Sequence, residues 1–355
     1  MKKKRIMALL ISAVLAVGAV GCGGDNADKE GGKKAKTEDT REKADSAEFT
    51  EKYSWSLSTT YPTGSPMVDG YYKFSELLDE YSGGSITLNV FPDSALMGEN
   101  DSFLALKSSE LEFVGCGPTP SYLFTPEYSF LSAPFLVGSK EEYQKLYNSP
   151  LFEQAKEIWR TEYNTRDVAG VAYRGFRNMS SNKKIETVED LSNLKLRMND
   201  NQQWSDTWKS LGATPVPIPL GELYTSVQNG TVDASEGPWD QIKSLNLEEV
   251  QDYIIETNHV YESAGIFMAE DLYESLPDNY KEVIDKAGKE AIEFMEEEAI
   301  AREDDYKQQL LDGGCELIIP ELDGFEEKCT EILKQYFEST WTVSSLDEVK
   351  ELMKE

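Results

Sequence analysis

The stretch YRGFRNMSSNKKIETVEDLSNLKLRMNDNQQWSDTWKSLGATPVPIPLGELYTSVQNGTVDASEGPW, Tyr173 to Trp239, decides the fold of this chain. The residues Val168 to Tyr173 lead into it as a strand, with Arg177 close behind its end, and Leu194 to Arg197 reads as a second strand ending on Arg197 itself. Gln202 to Leu211 has helical periodicity, with Trp204 and Trp208 four apart on one face, and Gly221-Glu222-Leu223-Tyr224 opens a further helix. Pro215, Pro217 and Pro219 rule out a central ladder strand over Thr214 to Leu220 and imply a stiff crossover. Strands alternating with helices predict a parallel sheet faced by helices, in which ligands bind beyond the carboxyl ends of the strands. Arg177 and Arg197 fall at such ends. A guanidinium held on a rigid element matches both oxygens of a carboxylate, so the stretch reads as an anion site. The competing reading makes both arginines surface charges or structural ion pairs, since most arginines are exposed and the chain offers 65 acidic partners.

The pattern continues towards the N-terminus. Tyr53 to Ser58 alternates as a strand, and Met67, Tyr71, Phe74, Leu78 and Tyr81 recur at helical spacing until Gly83-Gly84 stops the helix. A strand from Ile86 to Phe91, a helix to about Ser109 and a strand from Leu111 to Cys116 follow. The strand ends nominate Thr59 to Pro62, including Tyr61, and Cys116 to Thr119, including Gly117, as ligand-facing. Beyond the quoted stretch, Tyr280, Ile284, Ala287, Ala291 and Phe294 predict a helix from Pro277 to about Leu311.

The first residues carry a different signal. Lys2, Lys3, Lys4 and Arg5 precede an apolar run from Met7 to Val20 and the pair Gly21-Cys22, the order of a secretory leader. That run is too short to cross a bilayer comfortably. Residues 23–48 hold almost no apolar side chains and cannot offset their ordering entropy by burial, so they read as a tether. About 26 flexible residues reach roughly 25–30 Å. The remaining length exceeds what one core usually serves, which predicts two lobes.

Charge and cysteines narrow the function. The net charge is −30. Nucleic acid needs a cationic face and is excluded as a partner; an anionic ligand needs a local positive site against the overall field. Cys116 reads as a buried small apolar residue, and Cys315 and Cys329 are candidates for a disulfide outside the cytoplasm. The cysteines lack the spacing of a metal site. The single histidine, His259, stands between an acidic segment and a strand, and no nucleophile elbow, His-Glu-x-x-His or phosphate loop is present. The sequence therefore gives no cofactor and no catalytic motif; the enzyme alternative is an extracytoplasmic hydrolase using a carboxylate pair among the 65 acids.

The run from Arg177 to Trp239 resembles the core of the solute receptors that serve tripartite ATP-independent periplasmic (TRAP) transporters. The residues carrying the likeness are Glu189-Asp190-Leu191, Leu194-Lys195-Leu196-Arg197, Asp206 to Leu223, Tyr224, Gly230 to Asp233 and Glu236-Gly237-Pro238. A weaker likeness extends over about residues 53–340. Ala19-Val20-Gly21-Cys22 likewise resembles a bacterial lipobox, which implies a lipid on Cys22.

The resemblance implies an α/β, two-lobed periplasmic-binding-protein-like fold with a hinge and a long C-terminal helix spanning both lobes. It implies a signal peptide at 1–21, a lipidated cysteine and tether at 22–48, mainly the first lobe at 49–165 and the second at 166–262. Residues 263–355 would then hold the end of a return strand beginning near Val260, the spanning helix and a C-terminal segment. Arg197 would grip a ligand carboxylate, with Arg177 and Asn199 close by and Leu220 packing on the ligand. Glu99 and Asn100 would contribute from a first-lobe loop, with Cys116, Gly117 and Tyr61 beside them. Glu236, Gly237 and Trp239 occupy the family's Glu-Asn-Pro turn; here Gly237 replaces the asparagine and an indole follows, which suggests a ligand with more apolar surface than a small dicarboxylate. The implied partners are a small organic acid and integral membrane permease subunits.

Overall fold

The computed structural model describes residues 49–354; the signal peptide, lipidated Cys22 and tether expected from the sequence lie outside the described residues. The first strands form where the alternation predicts them. β1 (Tyr53–Ser58) pairs in parallel with β2 (Ile86–Phe91) and with β3 (Phe113–Cys116). The helix Pro66–Tyr81 connects β1 to β2; Ser65 caps it, its hydroxyl accepting from the Val68 amide, and Pro66 takes the first turn, where no amide partner is lost. Its apolar face, Met67, Tyr71, Phe74 and Leu78, is fully buried.

β4 (Thr165–Ser181) departs from expectation. It runs for 17 residues, so Arg177 lies inside a strand rather than behind the end of one. Beyond it come β5 (Lys195–Met198), β6 (Thr214–Pro217), β7 (Ala234–Gly237), β8 (Tyr253–Ala269) and β9 (Glu316–Ile318). The sheet order is β2-β1-β3-β8-β4-β7-β5-β6, with β9 added to β8. β6 carries Pro215 and Pro217 and sits at the sheet edge, where missing amides cost no ladder bond.

β4 and β8 pair antiparallel along both lobes, with register shifts between Asp167 and Val171, Tyr173 and Gly175, and Arg177 and Met179. Val171 and Tyr173 pack on the first-lobe core, whereas Met179 belongs to the core of the second. A third apolar cluster, around Leu223, Trp239, Ile242 and Leu310, also lies in the second lobe.

Two helices also join the lobes. Asp278–Asp312 is 35 residues, about 50 Å long. It places Ile284, Ala291 and Met295 in the first-lobe core and Leu310 in the second-lobe cluster. Its approach to Pro66–Tyr81 is so close that a Cβ at Gly70 would meet Met295 Cγ at 2.0 Å. The helix Asp323–Ser339 gives Phe325 and Cys329 to one core and Leu333 and Phe337 to the other. Cys315 and Cys329, the candidates for a disulfide, are buried free thiols in separate clusters and do not pair. Among the described residues no helix is long and apolar enough to cross a membrane.

Candidate functional site

The carboxyl ends of β1, β3 and β5 converge on one cleft. Thr60, Tyr61, Gly117, Thr119 and Tyr122 line it from the first lobe, and Arg197, Asn199, Trp204 and Leu220 from the second. Glu99 lines the same cavity and, with Asn100, an adjoining groove that also reaches Arg197, Asn199 and Leu220. Of the residues nominated by sequence, Arg197, Arg177, Glu99, Asn100, Tyr61, Gly117, Asn199 and Leu220 thus come together. Cys116, Glu236, Gly237 and Trp239 do not line the cleft. Cys116 is buried with its thiol 3.6 Å from the Thr119 hydroxyl, and Trp239 packs inside the second lobe. Glu236 is fully buried and engaged by Arg177, and the Gly237 backbone faces the Gln241 amide.

Three arginines meet here in different electrical states. Arg177 donates from Nη2 to Glu236 Oε1 at 2.7 Å, pairs through Nε with the other Glu236 oxygen, and donates from Nη1 to Glu262 Oε2 at 2.8 Å. Burial alone would lower its pKa, but Glu236 and Glu262 raise it above its ordinary value. Its guanidinium also lies over the Trp204 ring, 4.6 Å from the centroid. Every nitrogen of Arg177 is occupied by protein. Arg174 donates from Nε and Nη2 to Asp240 Oδ2, both at 3.2 Å, and stacks 3.8 Å above Tyr61. It too is held above its ordinary pKa, burial being outweighed by Asp240.

Arg197 is the exception. It is 3% exposed, and its Nε donates to the Ile218 carbonyl at 2.9 Å. Among the described residues no carboxylate lies within ion-pair distance of it. Burial lowers its pKa to about 10, only partly offset by the more distant Glu236 and Glu99, so at neutral pH it remains charged and uncompensated. The fork Nη1/Nη2 is the unsatisfied cationic end of the cleft.

The carboxylates are equally differentiated. Arg177 and His259 hold Glu236 at about 2 against the raising effect of burial. Burial raises Glu262 above the usual range despite Arg177 and Arg174. His259, with Nδ1 2.7 Å from the Thr257 hydroxyl and Nε2 3.3 Å from Glu236, is lowered by burial and braces the Arg177 pair from below. Among the described residues no group of side chains has the make-up of a metal site.

Arg174 and Glu262 escaped the sequence reading. Arg174 and Arg177 are three apart, which on a regular strand puts them on opposite faces. The register shift at Tyr173/Gly175, with Gly175 at φ 109°, brings both to the cleft; the glycine in YRGFR was its one local sign.

The family model DctP, described as bacterial extracellular solute-binding protein, family 7, matches residues 57–340. A solute-binding protein of Roseobacter denitrificans is 30% identical over 222 residues, 62% of this chain and 68% of that protein. The fold is similar to the crystal structure of a TRAP periplasmic solute binding protein from Roseobacter denitrificans with bound L-galactonate. That match has a TM-score of 0.77 at 23% identity and covers 82% of this chain and 99% of the other. It is similar as well to a TRAP periplasmic solute binding protein from Fusobacterium nucleatum with bound sn-glycerol-3-phosphate. There the TM-score is 0.80 at 21% identity, over 85% of this chain and 97% of the other.

Proposed function

The chain belongs to the bacterial extracellular solute-binding proteins of family 7, and from that premise we propose that it captures a small organic acid outside the cytoplasm and delivers it to a TRAP-type permease. It is a receptor, not an enzyme. The observation that carries the reading is Arg197: a buried guanidinium whose outer fork faces the cleft while Arg174 and Arg177 beside it are already neutralised. Desolvated and unpaired, it gains most from a ligand carboxylate, which supplies the missing counter-charge and fits both terminal nitrogens.

Binding proceeds by hinge closure. The ligand carboxylate docks on Arg197 in the second lobe, Glu99, Tyr122 and Gly117 complete the contacts from the first, and these differential contacts favour the closed state. Arg177 holds the floor of the site rather than the ligand, because its donors are spent on Glu236 and Glu262. L-galactonate and sn-glycerol-3-phosphate, the ligands of the two structural relatives, are both anions carrying hydroxyls. Cys22 carries a lipid that anchors the receptor, with residues 23–48 as its tether. The alternative is a receptor of the same fold serving a sensor kinase or an ATP-driven transporter.

The test is calorimetric titration of residues 49–355 with a panel of organic acids. Truncating one member of a desolvated bidentate pair costs about 2–5 kcal/mol, so Arg197→Ala should weaken carboxylate binding roughly 30- to 4000-fold. Arg197→Lys should recover little, for an ammonium cannot present the fork. Unchanged affinity in Arg197→Ala would remove the arginine from its role.

A further inference from the structure

Besides Arg197, the cleft presents hydrogen-bond acceptors without partners among the described residues. Glu99 takes the Tyr122 hydroxyl on Oε1 at 2.6 Å, along with the Thr119 hydroxyl, and among the described residues its Oε2 has no partner. Glu262 spends Oε2 on Arg177; its Oε1 hangs over Gly117, where a Cβ would meet it at 3.1 Å. The buried Oδ1 of Asn199, on the cleft wall next to Arg197, likewise has no hydrogen-bond partner among the described residues.

Charge leads to the same conclusion. Arg174, Arg177 and Arg197 face Asp240, Glu236, Glu262 and Glu99, one carboxylate in excess. One ligand carboxylate is accommodated because Arg197 is free of ion pairs. A second meets no free cation among the described residues and shares the cleft with Glu99 and Glu262, where like-charge repulsion is costly.

Building on the proposed function, we infer that this receptor selects a monocarboxylate whose remainder carries hydrogen-bond donors, hydroxyl or ammonium, and that Glu99 and Glu262 reject dicarboxylates. Donors on such a ligand satisfy Glu99 Oε2, Glu262 Oε1 or Asn199 Oδ1, whereas a second carboxylate set against any of them leaves that acceptor unsatisfied and adds repulsion. Specificity is therefore set by the acidic wall and affinity by Arg197.

Two matched pairs test this at pH 7 by calorimetric titration: galactonate against galactarate for hydroxyl donors, and asparagine against aspartate for an ammonium donor. The expected result is that in at least one pair the monocarboxylate binds at least tenfold more tightly than its dicarboxylate counterpart. In Glu99→Gln, which keeps an acceptor for Tyr122 and Thr119 but removes the charge, that ratio should fall at least fivefold. Glu262→Gln provides a second reading, with a melting curve to establish that it folds. Dicarboxylates binding as tightly as their partners, with Arg197 still required, would overturn this inference and leave the receptor reading intact. Binding of no carboxylate in either pair or in the wider acid panel would overturn both.

Discussion

Arg197, the proposed ligand anchor, is held as a buried charge at the expense of the ligand-free fold, and that conflict can be measured. Replacing it by methionine keeps much of its apolar volume and removes the buried charge. A pKa lowered from its ordinary value to about 10 corresponds to a cost of about 3 kcal/mol, at 1.36 kcal/mol per pKa unit. The sign is clear: a base whose folded pKa is depressed destabilises the fold throughout the range below that pKa, so the cost is fully present at pH 7. The substitution also loses the Nε bond to the Ile218 carbonyl, about 1 kcal/mol. Arg197→Met should thus stabilise the ligand-free domain by about 2 kcal/mol, as seen in urea denaturation. Add a bound carboxylate at a thousand times its wild-type dissociation constant, and the wild type gains about 4 kcal/mol while the variant, binding roughly 30- to 4000-fold more weakly, gains about 2 kcal/mol at most. The variant's advantage then disappears or reverses. A variant less stable than wild type without ligand, or one stabilised by the acid as much as wild type, would refute the account of Arg197 as an uncompensated charge waiting for its partner.

Two further outcomes follow from the neighbouring charges. Arg177→Ala strands Glu236 and Glu262 in a buried site and should cost about 3–5 kcal/mol in urea denaturation, far more than a surface arginine; a loss below 1 kcal/mol would show that the pair is not structural. His259 titrates below its ordinary value because it is buried, so as pH falls through about 6.5 the unfolded chain takes up a proton that the fold resists. Wild type should lose stability relative to His259→Gln between pH 7.5 and 5.5, and parallel profiles would remove His259 from the acid response.

Much of this was legible in the sequence, for identifiable reasons. Strand ends could be read from alternation, and since a parallel sheet gathers them on one side, Tyr61, Gly117 and Arg197 were foreseeable as neighbours. The proline run in Thr214 to Leu220 was read as excluding a central strand, and the edge position of β6 agrees. What stayed hidden depends on register and side-chain direction. A one-residue irregularity at Gly175 decides where Arg174 points, and nothing distinguishes Glu262 from the other acids until β8 crosses the hinge beside Arg177. Glu236 and Trp239 belong to the stretch that carries the resemblance but do not reach the cleft: β7 is buried on all four residues, and Trp239, on the helix that follows, packs in a second-lobe cluster. The difference between Arg177 and Arg197, one saturated and one open, is a matter of partners far apart in the chain.

The pairing of β4 with β8 sets how the two lobes can move. Two 17-residue strands share one ladder across both lobes, so a closing motion is a twist of a hydrogen-bonded ribbon rather than a free swing about a single bond. The register shifts at Tyr173/Gly175 and Arg177/Met179 interrupt that ribbon beside Arg174 and Arg177. Under the proposed function, the bending of the hinge and the setting of these two arginines are therefore mechanically linked.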